Sequence, residues 1–447
     1  MAKLKSSYEL AMERIIASSN KKSPKKSPIV PEFVTDVEYP ENLGKSKKEP
    51  VIGREKIVEP SKKYYDEEVV EAYWAGQFFD YGGFARMNRS MVFGLSNKNA
   101  KIKLEIESFR TDINKATQDF LNQMTKVKID PKAPKVYSST VPTGFLNHKG
   151  AKVIYTMIET SEKVHNDYVG KLDMADEIWV PTEYGKKILE SSGVKTKVVV
   201  MPLGVDVSRF TEGSGGLKLS SKKYKFLSVF RWSYRKGFDI LLKSYLEEFS
   251  SKDDVSLVLV SRATQYPGNK GVKHIQSQFI ELAKSIGKPI DELPEVVLYT
   301  EPIKERDMPK LYQSCDSFVL MSRGEGFGLP LVEAGACGLP IVSTNCSGHS
   351  DFLKEEWSYL VEPDAFVTAS TSGYMSQMAK LCHFYDGQVF PDFGLPAIGA
   401  AKRIMRNIFE NQDEAKEKAE KFRKHVVENY SWDSAIDKVY NRLRELQ

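Results

Sequence analysis

The segment Ser322–Thr344, SRGEGFGLPLVEAGACGLPIVST, limits the possible fold more than any other part of the chain. It follows a short apolar run, Phe318–Met321, which has the length and composition of a buried parallel strand. Glycines alternate through the loop that comes next, and a helix is predicted from about Pro330 to Cys337. The N-terminus of that helix would carry free N–H groups and a partial positive charge. The segment therefore predicts a binding site for an anion such as phosphate.

Two carboxylates frame this predicted anion site. Glu325 lies in the glycine loop and Glu333 lies in the first turns of the helix, with seven residues between them. Because carboxylates accept hydrogen bonds from hydroxyls, the pair favours a phosphate-linked sugar, with one acid for each sugar ring of a nucleotide-sugar. The alternative is that Glu333 only complements the helix dipole and Glu325 is a solvated loop residue.

The pattern E-G-F-G-L-P-x-x-E, followed by A-x-x-x-G-L-P-I-V, resembles the signature of retaining glycosyltransferases of the GT-B fold, family 4. The resemblance implies an α/β protein with two Rossmann-like, doubly wound domains that face a cleft, and a C-terminal helix that crosses back to the first domain. It implies a tail at residues 1–64, an N-terminal acceptor domain at 65–210, a nucleotide-sugar domain at 211–425 and a returning helix at 426–447.

Alternating strand and helix patterns agree with parallel sheets covered on both faces. A glycine- and serine-rich stretch, Thr211–Ser221, marks the linker between the two series. Residues 364–395 match the resembled family poorly. Strands are predicted at Val69–Gln77, Lys101–Glu107, Lys135–Ser138, Lys152–Ile158, Glu177–Pro181, Lys197–Met201, Lys225–Phe230, Val255–Val260 and Val296–Tyr299, and helices at Phe84–Gly94, Lys163–Met174, Tyr184–Ser192, Val272–Ser285 and Glu305–Cys315.

Two cations follow the strand Lys225–Phe230. Arg231 lies at its carboxyl end, and Lys236 with Gly237 opens the next helix. Two cations beside a helix N-terminus suit a diphosphate, and the spacing is similar to the R-x4-K-G element of the resembled family. Basic residues at strand ends are also often only solvated, and the role of Arg235 is left open.

Other candidates lie in loops at the carboxyl ends of strands, where open α/β sheets bind ligands. The turn Gly82–Gly83 serves in many proteins only to pack a helix, and His165 is equally compatible with a surface position on a helix. The resemblance implies that Gly82 and Gly83 approach the donor phosphate and the acceptor, that Gly326, Phe327, Gly328 and Leu329 bind the donor, and that Tyr299 and Ile303 lie beside the base. Position alone suggests Glu159, His165, Gly348 and Asp351 for the acceptor side.

Charge is distributed unevenly along the 447 residues, whose net charge is +5. Residues 1–64 hold 14 Lys+Arg against 9 Asp+Glu, and the rest of the chain is balanced. A neutral folded part argues against a nucleic-acid-binding face. The tail, with its KKSPKKSP stretch, is expected to be largely disordered. It is either a solvated extension or a segment that attracts anionic membranes or RNA.

Cysteine spacing and hydropathy restrict the cellular setting. Cys315, Cys337, Cys346 and Cys382 show no metal-ligand or C-x-x-C spacing, which favours reduced buried thiols in a cytosolic protein. No signal-like segment begins the chain, and no apolar run approaches the ~20 residues of a membrane-spanning helix. We expect a cytoplasmic protein, soluble or peripherally associated with a membrane.

The resemblance implies a retaining glycosyltransferase that moves a hexosyl unit from a UDP- or GDP-sugar to a glycan, lipid or protein-linked acceptor. Glu325, Arg231 and Lys236 would be catalytic, and Glu333 would hold the ribose. No Asp-x-Asp occurs in the chain, so no metal and no cofactor beyond the nucleotide-sugar co-substrate is expected. Two alternatives remain at this point: a sugar-nucleotide epimerase of the same fold, and a non-catalytic nucleotide-sugar-binding protein.

Overall fold

The structure is a computed structural model that describes residues 32–34, 69–107, 113–139, 147–264, 266, 269–301, 303–371, 376 and 385–447. Within these residues the chain forms two parallel sheets that pack against helices, and one antiparallel strand pair. In the described ranges, no helix has both the length and the apolar character needed to cross a bilayer. The first element is a three-residue strand, β1 (Glu32–Val34).

The first domain is a six-stranded parallel sheet with its helices. Its elements are β2 (Val70–Gly76), α1 (Gly83–Ser96), β3 (Ala100–Ile106), α2 (Lys115–Met124), β4 (Lys135–Ser138), β5 (Lys152–Tyr155), α3 (Asn166–Leu172), β6 (Glu177–Val180), α4 (Glu183–Ser191) and β7 (Val198–Val200). The strand order is β3-β2-β4-β5-β6-β7. Every strand predicted in this half is present within about three residues.

Polar side chains cap two of the helices in this domain, α2 and α4. The side chain of Thr182 accepts a hydrogen bond from the Gly185 N–H at 3.1 Å and caps α4. Asn114 caps α2 in the same way, a helix that the sequence pattern did not predict. The helix predicted at Lys163–Met174 begins only at Asn166, because His165 keeps an extended backbone, with ψ at 146°.

The second domain holds the larger parallel sheet. Its elements are β8 (Tyr224–Arg231), α5 (Phe238–Glu248), β9 (Val255–Arg262), α6 (Asn269–Ser285), β10 (Glu295–Tyr299), α7 (Met308–Gln313), β11 (Ser317–Leu320), α8 (Leu329–Ala336), β12 (Ile341–Thr344), β13 (Tyr359–Val361), β14 (Ala365–Thr368), β15 (Val389–Asp392), α9 (Leu395–Glu410), α10 (Gln412–Asn429) and α11 (Trp432–Leu446). The sheet order is β1-β10-β9-β8-β11-β12-β13, and β14 pairs antiparallel with β15. The predicted helix at Glu305–Cys315 is shorter, because its first turn is a 3-10 helix.

The last two helices serve different domains. α10 packs against α8, whereas α11 packs against α1 and β2 of the first domain. Tyr430 and Ser431 separate the two helices, a few residues after the predicted boundary at 426. Ile436 of α11 contacts the helix surface at Gly94, and Arg442 forms an ion pair with the buried Glu177 at 2.7 Å. The predicted return of the C-terminal helix is thus confirmed.

β1 corrects one expectation about the tail. Residues 1–64 were expected to be largely disordered, but three of them, Glu32–Val34, pair in parallel with Val297–Tyr299 at the outer edge of the second sheet. The physical reason is that an edge strand such as β10 presents unpaired N–H and C=O groups to any extended segment. The rest of the tail lies outside the described residues, so its predicted disorder stays a prediction.

Truncation tests the contribution of β1. A chain that begins at Pro28 keeps β1, whereas a chain that begins at Ser61 exposes the edge of β10. We expect the longer chain to match the melting temperature of the full-length protein and the shorter one to melt about 2–4 °C lower, the shift for ~1 kcal/mol. Differential scanning fluorimetry of the three proteins measures this. Identical melting temperatures would show that β1 adds no stability.

Candidate active site

The glycine loop between β11 and α8 is built by close packing. Gly328 caps the N-terminus of α8 with φ at 100°, a left-handed conformation that favours glycine. A Cβ on Gly324 would overlap the carbonyl oxygen of Glu159, and one on Gly326 would lie 2.6 Å from the Cβ of Met157. The loop therefore lies directly against the first-domain segment that follows β5.

Glu325 is buried in an ion pair. Glu325 is only 4% exposed, and its two carboxylate oxygens lie 2.6 and 2.7 Å from Lys236 Nζ. Arg235 Nη1 lies 4.0 Å away. Burial alone would raise the pKa of Glu325, but the two cations outweigh it and lower the pKa to about 2. The carboxylate and its cations thus form one charged cluster at the loop that precedes α8.

A second loop, after β12, holds the glycine loop in place. The Glu325 N–H donates to Ser347 Oγ at 2.9 Å, and the Gly348 N–H donates to the Glu325 carbonyl at 2.9 Å. Ser347 adopts φ of 56°, which is strained for a residue with a side chain. His349 is fully buried, its Nε2 lies 2.7 Å from the Thr344 carbonyl, and burial lowers its pKa. Sequence analysis identified Gly348 but neither neighbour.

Glu333 has partners from both domains. It is 2% exposed, and Tyr312 donates its hydroxyl hydrogen to Oε2 at 2.8 Å. Arg86, in the first turn of α1, forms an ion pair with Oε1. Since α1 begins at the turn Gly82–Gly83, this ion pair brings the predicted phosphate loop next to Glu333. Sequence analysis did not identify Arg86.

The remaining predicted donor residues occupy mixed positions. Arg231 is exposed at the carboxyl end of β8, in register with Arg262. The hydroxyl of Tyr299 donates to the Leu219 carbonyl at 3.3 Å, and Ile303 is buried. Their contacts with diphosphate and base stay predictions.

Phe327 and Leu329 anchor the glycine loop to the core. The Phe327 ring packs against Phe352 and Tyr430, with centroids 5.2 and 5.9 Å apart. Leu329 opens α8 and is 8% exposed. Both side chains therefore support the loop, while the backbone N–H groups beside them mark the predicted diphosphate position.

Glu159 links the first domain to the cationic cluster. Arg235 Nη1 lies 3.0 Å from its carboxylate, and the same guanidinium donates to the Gly324 carbonyl. Tyr385 donates its hydroxyl hydrogen to the other oxygen of Glu159. Arg235, whose role the sequence left open, is thus the cation that joins Glu159 to the glycine loop.

Asp351 and His165 also make contacts between domains. Asp351 accepts hydrogen bonds from the N–H groups of Glu183, at 2.5 Å, and Tyr184 at the start of α4, and burial raises its pKa. His165 contacts the Asp386 carbonyl. It lines a cavity of about 230 Å³ together with Lys163, Val164, Asn166, Gly387 and Gln388.

The antiparallel pair β14–β15 lies within residues 364–395, which are little like the glycosyltransferase family that the sequence resembles. The Val389 carbonyl of β15 accepts hydrogen bonds from the Ser161 N–H at 2.8 Å and from Thr160 Oγ1 at 2.9 Å. This hairpin therefore reaches from the second domain onto the loop that carries Glu159.

The described residues contain neither a disulfide nor a group of side chains placed to bind a metal ion. Cys315, Cys337 and Cys346 carry free, buried thiols whose pKa values burial raises. Cys382 lies outside the described residues. Within the described ranges, no group of three or more His, Cys, Asp and Glu side chains is placed to hold a metal ion.

Known proteins resemble part of the chain in sequence. Residues 221–374 match the family model for glycosyl transferases group 1. D-inositol 3-phosphate glycosyltransferase from Salinispora tropica is 28% identical over 192 residues, which cover 40% of this chain and 38% of that protein. The lipopolysaccharide core biosynthesis mannosyltransferase LpsB from Rhizobium meliloti is 29% identical over 191 residues, 40% of this chain and 50% of LpsB. The matches thus span half or less of these relatives.

Solved structures match most of the chain in fold. HepE from Anabaena, solved in complex with UDP and glucose, gives a TM-score of 0.57 at 13% identity and covers 84% of this chain and 100% of HepE. Sucrose-phosphate synthase from Thermosynechococcus elongatus gives 0.60 at 14% identity and covers 84% of this chain and 98% of the synthase. The chain therefore has the GT-B fold, and residues 221–374 match the model of the glycosyl transferases group 1 family.

Proposed function

We propose that the protein is a retaining glycosyltransferase that moves a hexosyl unit from a UDP- or GDP-sugar to a hydroxyl of a glycan, lipid or protein-linked acceptor. The observation that carries this proposal is the buried Glu325–Lys236 pair in the loop just before α8, with Glu333 within that helix. The UDP and glucose bound to HepE and the mannosyltransferase name of LpsB support the donor class.

Lys236 can serve both the donor sugar site and the diphosphate. An ammonium group has three N–H donors, and Glu325 uses two directions, at 2.6 and 2.7 Å. The third donor, Arg231 and the N–H groups at Gly328–Leu329 would stabilise the charge that develops on the departing diphosphate. These protein groups supply the positive charge of a metal clamp, so we infer turnover without added metal.

Retention follows if the acceptor attacks from the face that the diphosphate leaves. The bond between the anomeric carbon and the diphosphate oxygen breaks, and its electron pair stays on that oxygen. The acceptor oxygen bonds to the anomeric carbon and passes its proton to the leaving phosphate. Glu325 would orient the donor hydroxyls, and Glu333 would hold the ribose.

The acceptor is proposed to lie between the loop carrying Glu159 and the β14–β15 hairpin. Glu159, His165 and the residues around Gly387 offer hydrogen-bonding groups for sugar hydroxyls there. Contact of residues 1–64 with anionic membranes stays a prediction.

Product analysis tests the proposal. UDP- and GDP-sugars are first screened by thermal shift, because a ligand that binds only the folded state raises its melting temperature. With the donor that binds, we expect transfer that survives EDTA, and NMR of early product should show the donor's anomeric configuration. An inverted anomer, or activity restored only by manganese, would contradict the mechanism. Epimerised donor without acceptor, or binding without nucleotide release, would favour the two alternatives.

A further inference from the structure

Arg86 reaches from the first domain into the donor side of the cleft. Its guanidinium contacts Oε1 of Glu333, while Tyr312 holds Oε2. The Arg86 side chain is 26% exposed and that of Glu333 is 3% exposed. Each carboxylate oxygen can accept a further hydrogen bond, but Arg86 and Tyr312 cover both oxygens and leave almost none of the side chain exposed, so we infer that a ribose reaches Glu333 only when Arg86 moves.

A second position for Arg86 lies close by. Glu333 is the fifth residue of α8, so it lies about 6 Å along the axis from the N-terminus proposed to hold the diphosphate. Arg86 itself lies in the first turn of α1, beside the exposed turn Gly82–Gly83. A planar guanidinium binds phosphate oxygens in a bidentate manner, and its long side chain can turn between the two positions.

We propose that Arg86 is a donor-binding residue that exchanges partners. The ribose takes Glu333, and the displaced guanidinium binds the diphosphate of the same donor. This inference rests on the proposed function and extends it to a first-domain residue.

The exchange would select for a nucleoside diphosphate. A nucleoside alone must displace Arg86 from a buried carboxylate and offers the guanidinium no anion in return. A nucleoside diphosphate offers a more highly charged partner, so the cation stays paired throughout. Glu333 and Glu305 raise the pKa of Arg86 although burial opposes them, so the guanidinium keeps its charge in either position.

Binding of UDP, uridine, GDP and guanosine to the wild-type protein and to Arg86→Gln tests the exchange by calorimetry. The decisive quantity is the Kd of the nucleoside divided by the Kd of its diphosphate. We expect this ratio to fall by about tenfold or more in Arg86→Gln, because a charged hydrogen bond to phosphate is lost and the competitor for Glu333 is removed. Uridine or guanosine itself should bind as well as before or more tightly.

Arg442→Gln is the matched control. Arg442 is 21% exposed and pairs with a carboxylate, Glu177, that is 2% exposed, so both arginines occupy similar ion pairs. Glu177 begins β6, at the amino end of the parallel strands, whereas the glycine loop lies at their carboxyl end. We expect the ratio in Arg442→Gln to equal the wild-type ratio. Arg86→Lys keeps the charge and provides a second test if the glutamine variant does not fold. We expect its ratio to be lower than that of the wild type and of Arg442→Gln but higher than one, the value at which all preference for the diphosphate is lost.

Other outcomes overturn the exchange. An unchanged ratio in both Arg86 variants would show that Arg86 only joins the domains. Equal weakening of nucleoside and diphosphate would show a structural role. If the wild-type protein binds neither UDP nor GDP, the proposed donor class fails and the exchange fails with it; if it binds one of them with an unchanged ratio in the variants, the exchange alone fails.

Discussion

Replacing Glu325 with glutamine is expected to lower kcat by about 10²–10³-fold, the effect of removing one preorganised polar group at a reacting centre. Glutamine keeps the shape of the side chain but removes the charge that holds Lys236 and Arg235. Because Glu325 is proposed to hold the part of the donor that reacts, the loss should appear in kcat more than in donor affinity. Release of nucleoside diphosphate at saturating donor measures it.

Glu333→Ala is the comparison within the same motif. Glu333 is proposed to hold the ribose, which does not react, so this change should weaken donor binding more than it lowers kcat. If both variants keep wild-type binding and turnover, the two acids have no part in the reaction. If Glu325→Gln alone is mild, only the role of Glu325 is wrong.

The pKa of Glu325 also sets a pH window. It is lowered to about 2, below the ~4.3 of an unperturbed glutamate. The stabilisation from this ion pair is therefore fully present above pH ~4.3 and is lost as the pH falls toward 2. An acid limb in kcat/KM above pH 5 would accordingly have to arise from another group, because kcat/KM reports the groups of the free protein.

Gly237→Ala is expected to destabilise the fold by about 3 kcal/mol or more. Gly237 has φ of 68°, and an added Cβ would overlap the Met321 carbonyl oxygen and lie 2.6 Å from its carbonyl carbon. The obstacle is the backbone just after β11, so relief requires moving either α5 or the glycine loop. Urea unfolding of the purified variant measures the change.

Gly287→Ala separates the two causes. Gly287 has φ of 75°, but an added Cβ would meet no atom within 4 Å. This control should lose only the ~1–2 kcal/mol of a left-handed backbone with a side chain. Equal losses in the two variants would show that the clash at Met321 has no consequence and that the backbone angle accounts for the whole effect.

Local patterns were enough to predict the first-domain sheet and most of the second sheet, because most of these strands are short apolar runs that end at turns. β13, β14 and β15 were not predicted. β4 was predicted to the residue, and β5 ended three residues early because the segment after Tyr155 turns to meet the glycine loop. β1 was missed, since its three residues become a strand only through the exposed edge of β10.

The site residues also fall into a group that local motifs predicted and a group that they did not. Glu325 and Lys236 belong to motifs within one domain, and the structure brings them together as an ion pair. Three further contacts join the two domains: Arg86 with Glu333, Arg235 with Glu159, and Tyr385 with Glu159. The partners are 247, 76 and 226 positions apart in the chain, so no local spacing predicts these contacts. Only the relative placement of the two domains reveals them.

The connectivity of β1 and α11 determines when each domain can be completed during synthesis. β10, the partner of β1, emerges about 260 residues after it, which takes on the order of 10–50 s at translation rates of ~5–20 residues per second. The first domain waits longer still, because Ile436 of α11 packs on the face of α1 at Gly94. β1 therefore stays unpaired until Tyr299 has been made, and the face of α1 stays uncovered until Ile436 has been made, so a strand edge and an apolar helix face are available to chaperones for different parts of synthesis.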